Sequence, residues 1–273
     1  LPEMAAGIAS FRMYNATPAV AAAWQALFAR VFADLSWPVA IVPHAWPAPL
    51  PELWQRPDLV CGFMCGLPFA QRVAPVVPLV APVPSPAAYG GQPRYRSELL
   101  VRADAGWQRI DDTFGHRIGW MARHSQSGYH AARHLLAPSA QTHGAPLFRA
   151  SVGPLDTPMR ALTALRDGEI DVTALDSYFL DLLRRHAPDR LDGLHTVACT
   201  PWTPNPLLVA STTLDDAARA TLIDRLCGLH ADAAYAPLLD AVLVARFVRP
   251  DPAAYAPLAV AAASNNGGYP ELA

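Results

Sequence analysis

The chain has 273 residues, 52% of them apolar and 16% charged, which is enough to bury a core and too apolar for a disordered chain. Domains run roughly 100–150 residues, so the length makes one large domain or two lobes. The 21 basic and 23 acidic residues leave a formal charge of -2, which carries no basic footprint for nucleic acid.

In chain order the elements alternate strand and helix. Gly7 to Tyr14 reads as a first strand. Thr17 and Pro18 open a helix, Thr as N-cap and Pro in the first turn. Its apolar residues Val20, Trp24, Leu27, Phe28, Val31, Phe32 and Leu35 recur at three and four, so one face is buried. Val39–Val42, Asp58–Phe63 and Val76–Ala81 read as strands, the second apolar after its first residue and the third apolar throughout, as in strands covered on both faces. Pro82 to Arg94, rich in Pro and Gly, reads as a lobe boundary. Beyond it, Glu98–Arg102, His116–Ala122, Leu147–Val152, Val172–Leu175 and Leu194–Cys199 read as strands. A helix runs from near Ser127 to Leu136, one from Thr157 to the C′ glycine Gly168, and one through Arg185. Thr200 to Pro206 repeats the boundary texture. Strand Leu207–Ala210, a helix from Leu214 to about Leu229 and an Ala-rich helix Pro252–Ala263 complete the pattern, before a short tail, Asn265 to Gly268. The expectation is an α/β chain with mostly parallel sheets. Two crossings make one lobe from 1-93 and 204-273 and the other from 94-203, with a ligand cleft between them.

Composition excludes several chemistries. Every basic residue is Arg and none is Lys. No lysine Schiff base can form, no pyridoxal phosphate can be held by one, and no Walker A lysine or Ser–Lys dyad exists. No apolar run reaches the roughly 18 residues of a membrane span. Cys61, Cys65, Cys199 and Cys227 are too few for a disulfide framework and lack the second close pair of a zinc site, so free thiols are expected. His130 and His134 share a helix face with no Glu between them, which reads as a helix surface and not as a metal site. Asp111-Asp112 and Arg184-Arg185 read as solvated charge. Leu1-Pro2-Glu3-Met4 has no basic n-region, so the expectation is a mature form without its leader or a chain that never had one.

The most informative segment is His124-Ser125-Gln126-Ser127-Gly128-Tyr129, after a strand and at a helix start. Its hydroxyls stand beside free backbone N–H groups, and Gly128 lets a ligand approach the backbone, so the segment suits an anion.

Several segments together resemble the phosphate/phosphite/phosphonate family of ABC-transporter substrate-binding proteins. Asp58 to Phe69, with Cys65-Gly66-Leu67-Pro68-Phe69, resembles its strand and Cys-Gly-Leu-Pro-aromatic loop. Tyr95-Arg96-Ser97 is similar to its Tyr-x-Ser step, and Ser125-Gln126-Ser127-Gly128-Tyr129 to its Ser-x-Ser-Gly-Tyr anion loop. Gly168 to Asp176 resembles its Gly-x-x-Asp-x-Ala-x-x-Asp strand, and Gly268-Tyr269-Pro270-Glu271-Leu272 a common ending. The resemblance implies the type 2 periplasmic-binding-protein fold: two α/β lobes, a hinge, and reversible binding of a small polar or anionic, phosphonate-like solute without catalysis. It implies no cofactor and no metal, a membrane permease as partner, a monomer, and a periplasmic location. Tyr14, Cys65, Gly66, Tyr95, Ser97, Ser125, Gln126, Ser127, Gly128, Tyr129, Asp156, Thr157, Asp176 and Trp202 are the implied ligand-binding residues, with Thr200 and Thr203 at the second crossing.

The family's Gly-Ser-His-x-x-Ser is replaced by Gly153-Pro154-Leu155-Asp156-Thr157-Pro158-Met159. An Asp156 carboxylate beside the ligand would favour a cationic, zwitterionic or donor-bearing compound. Two other readings stand beside this one: a cytoplasmic ligand-sensing module of the same fold, and an enzyme related to thiamine-pyrimidine synthesis, whose known chemistry needs a lysine.

Overall fold

The computed structural model describes residues 6–143 and 146–264. The segments Leu1–Met4, Asn265–Gly268 and Gly268–Leu272 singled out above lie outside the described residues. The chain divides into two compact units. Unit 1 holds the chain up to Arg94 and Pro204–Ala256; unit 2 holds Tyr95–Thr203 and the stretch from Pro257. The chain therefore passes a third time, at Ala256/Pro257, where the sequence suggested only two passages. The last helix, Ala256–Ala263, is the cause: the Ala261 carbonyl accepts from His134 Nε2 at 2.9 Å and the Ala262 carbonyl from Arg133 at 3.5 Å.

Unit 1 is built on a six-stranded sheet in the order Val244–Val248, Val76–Pro84, Leu207–Ser211, Leu59–Met64, Gly7–Ser10, Val39–Ile41. The ladders among the last three strands are parallel, and the other three ladders are antiparallel. The expectation of mostly parallel pairing therefore gives way to a mixed sheet. The four N-terminal strands still run in one direction, as helical crossovers require. The two strands that follow the second passage, Leu207–Ser211 and Val244–Val248, run the other way.

Helix Pro18–Leu35 packs on this sheet through the seven residues its periodicity selects, and Thr17 Oγ1 caps it by accepting from the Val20 amide. Phe11, Trp24, Phe28 and Phe63 form an aromatic core with centroids 4.1–6.3 Å apart. The first strand ends at Ser10, short of Tyr14, because a helical turn at Arg12–Tyr14 follows. Strand Val76–Pro84 runs three residues past its expected end, with Pro82 and Pro84 paired to Phe247 and Val244.

Unit 2 carries a five-stranded sheet in the order Leu194–Cys199, Ser97–Arg102, Val172–Asp176, Arg117–Gly119, Ala150–Val152. Ser97–Arg102 is antiparallel to both neighbours; the remaining ladders are parallel. Four strand C-termini and the start of Ser97–Arg102 therefore meet at one end of the sheet. Loops at that end present free backbone groups, which is why ligands collect there.

One ion-pair group locks the sheet to a helix, and a second ties neighbouring strands together. Glu98 receives a fork from Arg184, at 3.0 and 2.7 Å, and the Thr196 hydroxyl at 2.7 Å, so Arg184 is a structural partner and not solvated charge. The buried Asp171 takes a fork and a backbone bond from Arg117, at 2.9–3.0 Å, and a longer contact from Arg102. Burial alone would raise the Asp171 carboxyl; the Arg117 and Arg102 bonds outweigh it and pull it down to about 2. An unfolded Asp titrates near 3.9. The pair's contribution, roughly 2 kcal/mol, is thus full above that pH and fades as pH falls through about 2. Asp171→Asn is expected to cost about 2–4 kcal/mol at pH 7 in urea denaturation, with the gap to the parent closing toward pH 2. Equal stabilities at pH 7 would contradict this role.

Candidate functional site

The site-forming end of unit 2 is organised by the serine loop. The helix begins at Gln126, so Ser125, not Ser127, is its N-cap: Ser125 Oγ accepts from the Gly128 amide at 2.9 Å. The first turn is wide, with bonds five residues apart. The His130 amide donates to the Ser125 carbonyl and that of Ala131 to the Gln126 carbonyl. Such widened turns are rare and concentrate at functional sites. Among the described residues no carbonyl accepts from the Gln126 and Ser127 amides, and the Ser127 hydroxyl has no hydrogen-bond partner. Free amides and a free hydroxyl at a helix start are groups that suit an oxyanion and bring no net charge of their own.

Ser97 holds this loop to the sheet. Its hydroxyl donates to the Ser127 carbonyl at 2.8 Å, while its amide donates to Thr200 Oγ1 at 2.8 Å and its carbonyl accepts from the Thr200 amide at 2.9 Å. Ser97 and Thr200 thus tie both passages of the chain to the serine loop. Beneath the loop, Trp120 meets Tyr129 edge-on at 5.5 Å, and Arg123 lies 5.9 Å over the Trp120 ring. Gly128 is required on packing grounds, because a Cβ there would stand 2.8 Å from Met121 Cβ.

The second loop at this end carries Asp156, in left-handed backbone with φ +65°, its amide donating to the Met121 carbonyl at 2.9 Å. Asp156 is exposed and ion-paired with Arg160 at 3.0 Å, one helical turn on. Its charge does not stand alone, which removes the ground for expecting a cationic ligand. Thr157 caps the following helix by accepting from the Arg160 amide at 3.2 Å. Asp176 caps the next, accepting from the Tyr178 and Phe179 amides at 2.8 and 3.1 Å. Trp202 carries the Arg96 guanidinium at 4.5 Å over its ring. Tyr95 is buried. His130 and His134 are not an exposed face either: His130 is buried with Nε2 on the Arg123 carbonyl, and His134 holds the last helix. The described residues contain no cluster of three metal-ligating side chains, and all four cysteines are free thiols.

In unit 1, Tyr14 is 1% exposed and packs edge-on against Phe63 at 4.9 Å, so its ring serves the aromatic core. Cys65 and Gly66 begin the short helix Gly66–Ala70 and are buried. The exposed aromatic among the described residues of this unit is Trp46, at 48%, in the loop after strand Val39–Ile41. Arg12 pins its loop by donating to the His44 and Ala48 carbonyls, and His44 Nε2 bonds the Pro49 carbonyl. Sequence reasoning passed over Trp46. Its signal was a Trp in a proline-rich loop outside every apolar period. Arg96 was also passed over, as the variable residue of Tyr95-Arg96-Ser97.

The family model for the periplasmic phosphonate substrate-binding protein of ABC transporters matches residues 13–255. No curated protein matches the sequence. Among solved structures, the chain is similar to a binding-protein component of an ABC phosphonate transporter from Pseudomonas aeruginosa, with 16% identity, TM-score 0.79, and 99% of this chain and 92% of that one covered. It is similar to PhnD1 from Prochlorococcus marinus in complex with methylphosphonate, with 14% identity, TM-score 0.76 and coverage of 94% and 96%. The alkanesulfonate-binding protein SsuA from Xanthomonas axonopodis pv. citri, bound to MOPS, follows at 18% identity, TM-score 0.57 and coverage of 96% and 85%. The fold is that of type 2 periplasmic binding proteins. Members of the matched family bind a small molecule for a membrane permease, are typically periplasmic, and are not enzymes. No helix among the described residues is long and apolar enough to cross a membrane. The chain belongs to the family of periplasmic phosphonate substrate-binding proteins of ABC transporters.

Proposed function

We propose that this protein captures a small organic anion of the phosphonate or sulfonate type in the periplasm and delivers it to a permease. The observation that carries this reading is the serine loop, with two free amides and a free hydroxyl at a widened helix start. An oxyanion there receives several charge-assisted bonds without meeting a fixed charge that would hold it too tightly for release. The Asp156–Arg160 pair contributes no net charge nearby. Closure of the two units on the ligand is part of the proposal, because a ligand stabilises the state in which it makes more contacts.

A thermal-shift series tests it. Alkylphosphonates and alkanesulfonates should raise the melting temperature by about 5 °C at roughly a hundred times the dissociation constant, and amines of equal size should not. A series in which only amines shift the transition would overturn the anionic assignment.

A further inference from the structure

Unit 1 holds a pocket of about 360 Å³ that shares no residue with the serine loop or with the Trp46 loop. Phe69, Val76, Pro78 and Pro252 form its apolar wall together with Ala70, Ala74 and Ala256, and Arg72 is its one charged residue. The volume lies at the small end of the roughly 300–1,000 Å³ of ligand sites. Phe69 is fixed by Tyr255, edge-on at 5.4 Å, so the wall is preformed.

Arg72 is in an unusual place. It is the residue just past the C-cap Gln71 of helix Gly66–Ala70, and its φ is +54°. That left-handed position ordinarily takes glycine, because any Cβ is strained there. The surroundings enforce it: the Arg72 amide donates to the Phe69 carbonyl at 3.1 Å, and the Val73 amide to the Pro68 carbonyl at 3.2 Å. Gln55 Nε2 bonds the Val73 carbonyl at 2.9 Å. Among the described residues the Arg72 guanidinium has neither a salt-bridge nor a hydrogen-bond partner. A strained backbone thus carries, among the described residues, an unpaired cation at a pocket whose other lining side chains are apolar, and strain of this kind clusters at functional sites.

We propose that this pocket binds a small amphipathic carboxylate, its apolar body on Phe69, Val76 and Pro252 and its carboxylate on Arg72. The charge fixes the sign of the ligand's head, and the volume limits its body to a chain of about eight carbons or a single ring. This site does not depend on the solute assigned to the serine loop.

Isothermal titration of the whole chain with sodium octanoate tests the proposal. Binding should be one to one, with a dissociation constant on the order of 0.1–1 mM for a ligand of about ten non-hydrogen atoms. Octanamide, the uncharged analogue, should bind about tenfold more weakly or worse. Arg72→Gln should lose about tenfold in affinity with little change in melting temperature. Arg72→Gly should lose the same affinity and melt higher, because glycine relaxes the left-handed backbone. Ser127→Asp should bind octanoate as the parent does. Absence of saturable binding, equal binding of octanamide, or parental affinity in both Arg72 variants overturns the proposal. Loss of octanoate binding in Ser127→Asp would place the ligand in the serine loop and overturn it as well.

Discussion

Ser127→Asp raises the dissociation constant for the best-binding alkylphosphonate by at least about a hundredfold, and Ser127→Ala by about ten- to a hundredfold. The parent hydroxyl is free and stands at a helix start whose first amides are also free. A hydrogen bond to a charged group contributes roughly 1.5–3 kcal/mol, and each 1.4 kcal/mol is tenfold in affinity. An aspartate at this position adds a second loss, because its carboxylate occupies the anion position, uses the same amides and repels the ligand. Neither change should disturb folding by more than about 0.5 kcal/mol, since the helix cap is Ser125 and the Ser127 hydroxyl bonds none of the described residues. Ser125→Ala supplies the contrast. It removes the bond to the Gly128 amide and should cost about 1 kcal/mol of stability. Titration calorimetry and urea denaturation on the three variants separate the two roles. Parental affinity in Ser127→Asp would mean that the loop does not hold the ligand.

Gly153→Ala should be the most damaging single methyl in unit 2. Its Cβ would stand 2.4 Å from two Trp120 ring carbons and 2.7 Å from the Trp120 carbonyl oxygen. The indole cannot swing aside: it is 6% exposed and locked against Tyr129 in the unit's core. The Trp120 backbone cannot yield easily either, because its amide donates to the Val152 carbonyl and its carbonyl accepts from the Leu155 amide, both at 3.0 Å. Overpacking of this kind costs about 3 kcal/mol, or roughly 6–12 °C in melting temperature for a unit of this size. Tyr129 moves with Trp120, so ligand affinity should fall in the same variant. A loss below about 0.5 kcal/mol in chemical denaturation would show that the indole has room to shift.

Much of the fold was legible because simple periodicities survive in it. The buried face of Pro18–Leu35 is the face its spacing selects, and Thr17 and Thr157 cap the helices they precede. What escaped had a local physical reason. Strand Val244–Val248 carries a register shift between Val244 and Arg246, so two residues oppose one and the alternation that marks a strand is broken. Pro82 and Pro84 read as breakers, yet they lie in a strand at its pairing with Val244–Val248. The third passage of the chain rests on two long-range bonds to the last helix, which no local pattern encodes.

The site was legible in its residue types and less so in its roles. Ser125-Gln126-Ser127-Gly128 pointed to an anion cradle, but only coordinates assign the cap to Ser125 and leave Ser127 free. The Asp156–Arg160 pair was written in its spacing of four, and recognising it removes the expectation of a cationic ligand. Trp46 owes its exposure to a loop that Arg12 pins from a distant turn.

Native mass spectrometry of the intact chain, titrated with a series of alkylphosphonates, alkanesulfonates and alkylamines, tests the central claim most directly. The account predicts a one-to-one adduct with at least one anion, no adduct with the amines, and loss of that adduct in Ser127→Asp. An adduct formed only with amines, or an anion adduct that persists unchanged in Ser127→Asp, would contradict it.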